Sequence, residues 1–503
     1  MGKKVLLVIP PQIVNSEGVD TKPSVSIPLS ILYMAAYLRK QQWSGELELY
    51  DARLSADLAT LDDGTVYFGD SWEKVAKRIL TFSPDVIGIS NMFSQQIPAA
   101  TRLSKLSKKV LPTAITVLGG PHASSQPLDM INVPTIDYVV VGEGEERFYQ
   151  MLCAFEAEET ISLQGVLNSE DDLKLLQPNK RAPVKFIDDL DSLPIPAYDL
   201  VDVDRYFHLQ SSGYAPRPRE WGKRAVTLLT SRGCPHQCIF CSIQATMGYK
   251  FRHHSPEYIR EYIEYLKTNY DIDYIHFEDD NFTHDIPRFD ALLDVLLEQE
   301  PRISWDTPNG VRGDSWNLEL ITKTKESGCQ YLCIAIESSV QRVIDEVIKK
   351  RLDLSKVEPV MKACREVGLP LSAFYILGLP GETKDEIKAN VDYAIDKYKQ
   401  YGVYPSFNPA NPLPGTELYD IVIDQNLLHG VTADDTPRPY TIKTEEFDPD
   451  FLRKVYADAN KRKRWITIRE MLTSYRSLKK YLGMSFDNPW HFFKAIRGLV
   501  GWA

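Results

Sequence analysis

Three cysteines fall within eight positions of the run Ser231-Arg232-Gly233-Cys234-Pro235-His236-Gln237-Cys238-Ile239-Phe240-Cys241, at the spacing C-x3-C-x2-C. A loop this short can wrap three thiolates round one metal centre. A closed zinc site would need a fourth Cys or His, and His236, His253 and His254 are at hand. An iron–sulfur cluster with three Cys ligands instead leaves one iron open to bind something else. The spacing favours the cluster, because structural zinc sites usually pair two close ligands with two distant ones. A second constellation is made of glycines: Gly119-Gly120-Pro121-His122 and Gly142-Glu143-Gly144-Glu145 each follow an apolar run. Glycine there lets a backbone approach a bulky ligand closely or turn through positive φ.

The elements that must carry these groups can be read from apolar patterning. Residues 4–9, 46–50, 85–90, 114–118 and 137–141 are short apolar or β-branched runs separated by stretches of helical spacing. Alternating strand and helix implies a parallel sheet, so residues 1–150 read as an α/β, doubly wound, Rossmann-like domain. Pro28 to Lys40 is a helix candidate, with Ile31, Leu32, Ala35, Ala36 and Leu38 near 3.6-residue spacing and two bases in the last turn. Ligands of such sheets sit beyond the carboxyl ends of the strands, here at Asp51, Ser90-Asn91 and the two glycine runs. No G-x-G-x-x-G follows the first strand, which disfavours NAD. Residues 151–222 form an acidic, proline-bearing linker before a new strand–helix series opens near Ala225.

The C-x3-C-x2-C motif with an aromatic residue just before its last Cys resembles the signature of the radical S-adenosylmethionine (SAM) superfamily. The resemblance implies that Cys234, Cys238 and Cys241 hold a 4Fe-4S cluster whose open iron chelates SAM, and that Phe240 contacts its adenine. It also implies a partial (β/α)6 TIM-type barrel over residues 223–430, and strand candidates at 225–230, 274–277, 303–306, 331–336, 371–377 and 405–408 supply six βα units. Their carboxyl ends carry Glu278-Asp279-Asp280, Arg312, Glu337-Ser338 and the turn Gly378-Leu379-Pro380-Gly381. In the family such groups meet the amino group, carboxylate and ribose of SAM. The order of α/β domain, linker and barrel further resembles the cobalamin-binding class of radical SAM enzymes. By that likeness Ser90, Asn91, Gly119, Gly120, His122, Gly142, Glu143 and Gly144 contact cobalamin. The D-x-H-x-x-G motif that gives cobalt a lower histidine in the mutases is absent, and His122 is the only histidine before His208.

Composition sets the outer bounds. With 503 residues, 43% of them hydrophobic and 25% charged, the chain buries sizeable cores. A net charge of −11 argues against life on a nucleic-acid backbone. No apolar run is long enough for a signal peptide or a membrane span, so the expected compartment is the cytoplasm. Residues 461–503 differ, with ten basic and two acidic residues (+8), against 48 and 67 (−19) in residues 1–460. Trp465, Trp490, Phe492, Phe493 and Trp502 interleave with those bases, a mix suited either to a helical cap on the barrel or to peripheral contact with an anionic membrane.

The expected function is modification of an unactivated carbon on a small or lipophilic substrate: an adenosyl radical abstracts hydrogen, and cobalamin delivers a methyl group that it took from a second SAM. An electron donor such as flavodoxin or ferredoxin is implied. The alternative is oxidative cyclisation or oxygen insertion without methyl transfer, as in anaerobic porphyrin cyclases. A tRNA methylthiotransferase would carry a three-Cys cluster in its first domain, where residues 1–233 hold only Cys153. Tyr198, Tyr206, His208, Tyr214 and Trp221 are candidates to wall a substrate pocket between the domains.

Overall fold

The first half of the computed structural model, which describes residues 2–14, 23–62, 64–177, 183–217, 223–431 and 439–473, is organised round the apolar runs. The strands in chain order are β1 (Lys4–Ile9), β2 (Gln12–Val14), β3 (Glu46–Asp51), β4 (Leu58–Thr60), β5 (Val66–Phe68), β6 (Val86–Ser90), β7 (Ile115–Gly119), β8 (Tyr138–Val140) and β9 (Val166–Leu167). Five of them pair in parallel in the order β3-β1-β6-β7-β8, and β9 closes the edge antiparallel to β8. Both faces of this sheet are covered, which is why β1 reads as an almost unbroken apolar run. Val5 and Leu7 pack with Ile31, Phe148 and Met151 on one face, and Leu6 and Val8 pack with Val75, Ile79, Ala99 and Leu103 on the other. Counted along the chain, the parallel strands run 2-1-3-4-5, so the strand order reverses between β1 and β6 and the ligand crevice opens there.

The short strands β2, β5 and β4 form a separate antiparallel sheet. With three residues each they carry too little periodicity to be read from sequence. The expected helix at 28–40 is Leu29–Lys40, whose buried Ile31, Leu32, Ala35, Ala36 and Leu38 are the residues on which the expectation rested.

In the second half come β10 (Ala225–Leu228), β11 (Ser231–Arg232), β12 (Arg252–His253), β13 (Tyr274–Phe277), β14 (Ser304–Asp306), β15 (Cys329–Glu337), β16 (Leu371–Leu377) and β17 (Tyr404–Pro409). Six of these pair in parallel in sequential order, β10-β13-β14-β15-β16-β17, the open sheet of a partial barrel. Helices Pro256–Tyr270, Ile286–Leu297, Leu318–Glu326, Val357–Val367 and Lys384–Tyr401 alternate with the strands. Their starts are fixed by side chains: Ser255, Asp285 and Asn317 each accept a first-turn N–H, and Thr383 with Glu386 forms a capping box.

The stretch between the two sheets is packed, not slack. Leu190, Leu193, Tyr198 and Tyr206 are essentially inaccessible and belong to the barrel's core, and Tyr198 Oη lies 2.7 Å from Tyr262 Oη. Tyr198 and Tyr206 are thus core residues, while Trp221 lies outside the described residues. Helix Pro449–Thr473 docks on the barrel through Leu452 and Ala459, with Arg462 paired to Asp392 at 2.7 Å. Trp465 is 65% exposed on it; Trp490, Phe492, Phe493 and Trp502 lie outside the described residues. Among the described residues no helix is long and apolar enough to cross a membrane.

Candidate active site

The cysteine loop is held from three sides. Ahead of it, Asp279 is fully buried and accepts from Thr230 N, Thr230 Oγ1 and Ser231 Oγ, which ties the end of β10 to the end of β13. Around it, β11 and β12 pair antiparallel and bracket the loop. At its base, Gly233 has φ +84 and donates to Asp280 Oδ2 at 3.1 Å; a Cβ there would stand 2.4 Å from the Lys250 carbonyl oxygen, so only glycine fits. Ile239 N donates to the Ile348 carbonyl and Leu418 N to the Ile239 carbonyl, which pins the far side.

The three thiols fit a cluster. They lie on one loop, and Asn281 Nδ2 approaches Cys234 Sγ at 3.6 Å. Burial pushes the thiols up, Cys238 to about 11 and Cys241 further, so thiolates here require positive charge such as iron supplies. Among the described residues no three His, Cys, Asp or Glu side chains are drawn together as ligands of a single ion. His236 turns to His284, with ring centroids 5.9 Å apart, and His254 bonds Asp191 at 3.1 Å.

The residues expected round SAM sit at the barrel's carboxyl ends, several already engaged. Phe240 is half-buried against the barrel core. Burial raises Asp280 to about 7 in spite of the Gly233 N–H. Glu337 has φ +70 and pairs with the buried Lys350 at 2.8 Å, and Ser338 Oγ accepts from Val340 N. Arg312 forms a two-pronged pair with Asp314 and donates to the carbonyls of Lys350 and Arg351. Gly378 and Gly381 take positive φ in a turn with Pro380, and Glu382 accepts from Gly378 N and Leu379 N.

The larger space lies between the sheets. A cleft of about 1340 Å³, partly continuous with solvent, is walled by the carboxyl ends of β1, β6, β7 and β8 on one side and by Thr227, Leu229, Arg232, Met247 and Glu278 on the other. Ser90, Gly119, Gly120, Gly142, Glu143 and Gly144 all line it. A Cβ on Gly119 would have nothing closer than 3.9 Å and would project into the space. A Cβ on Gly88 would strike Leu7 at 2.5 Å, so the glycine makes room for the Leu7 side chain where both residues border the cleft. The shape and largely apolar wall suit a large cofactor such as cobalamin. The His122 ring bonds Ser94 Oγ at 3.0 Å, while Pro121 and Ser124 on either side of it face the cleft. Asn91 donates to the Phe93 carbonyl.

One network was not legible in the sequence, although Glu143 itself was expected at the cofactor. Glu143 accepts from Arg232 at 2.9 Å and from Arg252 at 2.9 and 3.0 Å, and Glu145 accepts from Arg232 at 2.8 Å. None of these four side chains is more than 8% exposed. Burial pushes the Glu145 carboxyl up, but Arg232 outweighs it and the net shift is down. The Tyr33 ring lies under the Arg232 guanidinium at 5.2 Å. The loop after β8 in one lobe is thereby bolted to the hairpin that brackets the cysteines in the other.

Comparison with known proteins is consistent with this layout. The family model described as the radical SAM superfamily matches residues 228–394, and that of the B12 binding domain matches residues 19–152. The chain is 31% identical over 434 residues to cytidylyl-2-hydroxyethylphosphonate methyltransferase of Streptomyces wedmorensis, covering 81% of this chain and 79% of that one. It is 23% identical over 374 residues to the anaerobic magnesium-protoporphyrin IX monomethyl ester cyclase of Rubrivivax gelatinosus, covering 73% and 62%. Among solved structures, the radical S-adenosylmethionine methyltransferase TsrM from Kitasatospora setae superposes with a TM-score of 0.64 at 17% identity, over 91% of this chain and 85% of that one.

Proposed function

Since the chain belongs to the radical SAM enzymes that carry a B12-binding domain, we propose that it transfers a methyl group to a carbon of a small-molecule substrate at the cleft between its two lobes. When bound, the cluster and SAM supply an adenosyl radical and cobalamin supplies a transferable methyl group. Cys234, Cys238 and Cys241 hold the cluster. Asp280, Glu337 with Lys350, and Arg312 set the polar rim where SAM lies, and Phe240 covers its adenine. Gly119, Gly120, Gly142 and Gly144 let cobalamin settle against bare backbone, with Ser90 beside them, while Asn91 and His122 stand behind the cleft wall.

The observation that carries this reading is the shared cleft: carboxyl ends of both parallel sheets face one space, and the Glu143–Arg232–Arg252–Glu145 network fixes one wall to the cysteine loop. A radical source and a methyl donor placed this way act on one carbon held between them. The likeness to the protoporphyrin ester cyclase supports a second reading, ring closure without methyl transfer. A one-electron donor of the flavodoxin or ferredoxin kind completes either cycle.

The test supplies SAM bearing a trideuterated methyl group to reconstituted enzyme with extracts of the source cells and follows products by mass spectrometry. The methyl-transfer reading expects a product 17 mass units heavier than its substrate, since the trideuteromethyl group replaces one hydrogen. A product that gains no label while deoxyadenosine accumulates would favour the cyclase reading.

A further inference from the structure

The run Glu278-Asp279-Asp280-Asn281 follows β13 with three acids and then an amide. Its last three side chains reach successive points of the cysteine loop and the strand end before it. Asp279 accepts from Thr230 and Ser231, Asp280 accepts from Gly233 N, and Asn281 Nδ2 donates to Cys234 Sγ at 3.6 Å. The side-chain chemistry changes where the partner changes. Thr230, Ser231 and Gly233 offer O–H and N–H donors, which a carboxylate satisfies. A cysteine sulfur that binds metal is instead an acceptor with negative charge, and a carboxylate beside it would repel it. A carboxamide has the shape of aspartate and supplies a donor.

Asn281 is held in place by its neighbours. It is 4% exposed, and His284 N donates to its carbonyl oxygen at 3.1 Å. The next residue, Phe282, is buried against Phe277, Phe289 and Trp305, with ring centroids at 4.7, 5.2 and 6.1 Å. A donor fixed by packing meets charge on the sulfur without having to reorganise.

We propose that Asn281 sets the reduction potential of the cluster, its side-chain N–H stabilising the electron density that reduction adds to the Cys234 sulfur. The proposal rests on the reading that Cys234 is a cluster ligand. In the step concerned, one electron passes from a low-potential donor of the flavodoxin or ferredoxin kind to the oxidised cluster; no bond breaks and no proton moves. The reduced cluster carries one more negative charge, spread partly onto its thiolate sulfurs. A hydrogen bond to sulfur is therefore stronger after reduction than before, and it raises the potential. Asn281 acts through the Cys234 sulfur and is a positioning residue, one that eases the reduction on which SAM cleavage depends.

The test is a dye-mediated redox titration followed by EPR, on enzyme carrying cluster and cobalamin but no SAM. Asn281→Leu keeps the branching of the side chain and removes the donor, and should lower the equilibrium constant for one-electron reduction about tenfold, or about 59 mV. Asn281→Asp keeps the shape but sets a negative charge at the sulfur, and should lower it at least about threefold further. The cobalt couple, read in the same samples, should change by less than about twofold, because Asn281 is not among the residues that wall the cleft. Unmodified enzyme whose asparagine carries 15N in the side-chain amide should show coupling of that nitrogen to the reduced cluster in pulsed EPR, which serves if neither variant folds. A full complement of iron with an unshifted cluster potential in both variants, equal shifts of the cluster and cobalt couples, or no asparagine coupling overturns the proposal. Iron kept in full by Cys234→Ser would overturn the ligand reading and the proposal with it. Iron lost from Cys234→Ser, with the potential unshifted in the Asn281 variants, overturns the proposal alone.

Discussion

Glu143, Glu145, Arg232 and Arg252 hold two negative and two positive charges in a square with no side chain more than 8% exposed. Glu143→Gln keeps the shape of the side chain and leaves that square with one uncompensated positive charge. Breaking a buried ion pair in this way costs about 3–5 kcal/mol. With a urea m value of about 3 kcal/mol/M, the first unfolding midpoint should fall by about 1–1.7 M. Glu143→Leu with Arg252→Met removes one charge of each sign and leaves the Arg232–Glu145 pair neutral. It also strips donors from the Ile187 and Met247 carbonyls, which Arg252 serves at 2.5 and 2.6 Å. The double variant is therefore destabilised, but by at least about 1.5 kcal/mol less than the sum of its single changes. Tryptophan fluorescence in urea measures all three. A midpoint shift under about 0.3 M for Glu143→Gln, or strict additivity in the double variant, would refute the account of the square as a mutually compensating unit. The sign of the pH dependence provides an internal check. The Glu145 carboxyl is lowered in the folded chain, so its contribution is complete above the ordinary value of 4.5 and lost as pH falls through the folded value. The cost of Glu145→Gln should accordingly shrink as pH falls below 4.5.

Cys238→Ser should drop iron from about four per chain to near zero and abolish deoxyadenosine formation, as measured by iron assay and chromatography. Gly119→Leu should lower bound cobalamin more than tenfold while shifting stability by less than about 1 kcal/mol, because its Cβ meets nothing nearer than 3.9 Å and its bulk enters the cleft; an unaltered cobalamin stoichiometry would count against the cleft as the cofactor's seat. Burial raises Glu382 to about 8, so in the folded chain it stays protonated at neutral pH while the unfolded chain ionises near 4.5. Stability should decline between pH 4.5 and 8 and level off above that, with a slope of at most about 1.4 kcal/mol per pH unit that Glu382→Gln removes. Urea midpoints at four pH values decide it, and parallel curves for the two proteins would be the contrary result.

The parallel strands were legible because burial on both faces makes a run of apolar residues that needs no partner to be seen. Residues 4–9, 274–277 and 371–377 were read to the residue, and other boundaries moved by one or two positions. The cysteine loop was legible because its three cysteines are local in the chain. The ion-pair square was not: Glu143 meets Arg232 and Arg252 across 89 and 109 residues, and a charge among many carries no mark of its eventual partner. Residues 151–222 read as a linker on account of their acids and prolines, yet Leu190, Tyr198 and Tyr206 are buried. Isolated apolar residues between prolines have no period to betray the surface that will cover them. The same holds for His276 and Asp306, whose pairing is a matter of strand register.

The cleft at the carboxyl ends of β6, β7 and β8 means that this end of the first sheet is covered from outside the chain. A ligand that fills it at a thousand times its dissociation constant stabilises the native state by about 4 kcal/mol, comparable with the margin by which many domains stay folded. The abundance of this protein in a cell should therefore track the supply of its cofactor, even where transcription does not change. Chains made in a cofactor-poor cell would open more often at this face and be removed by proteases, so that nutritional state is written into the enzyme's lifetime before any substrate is met.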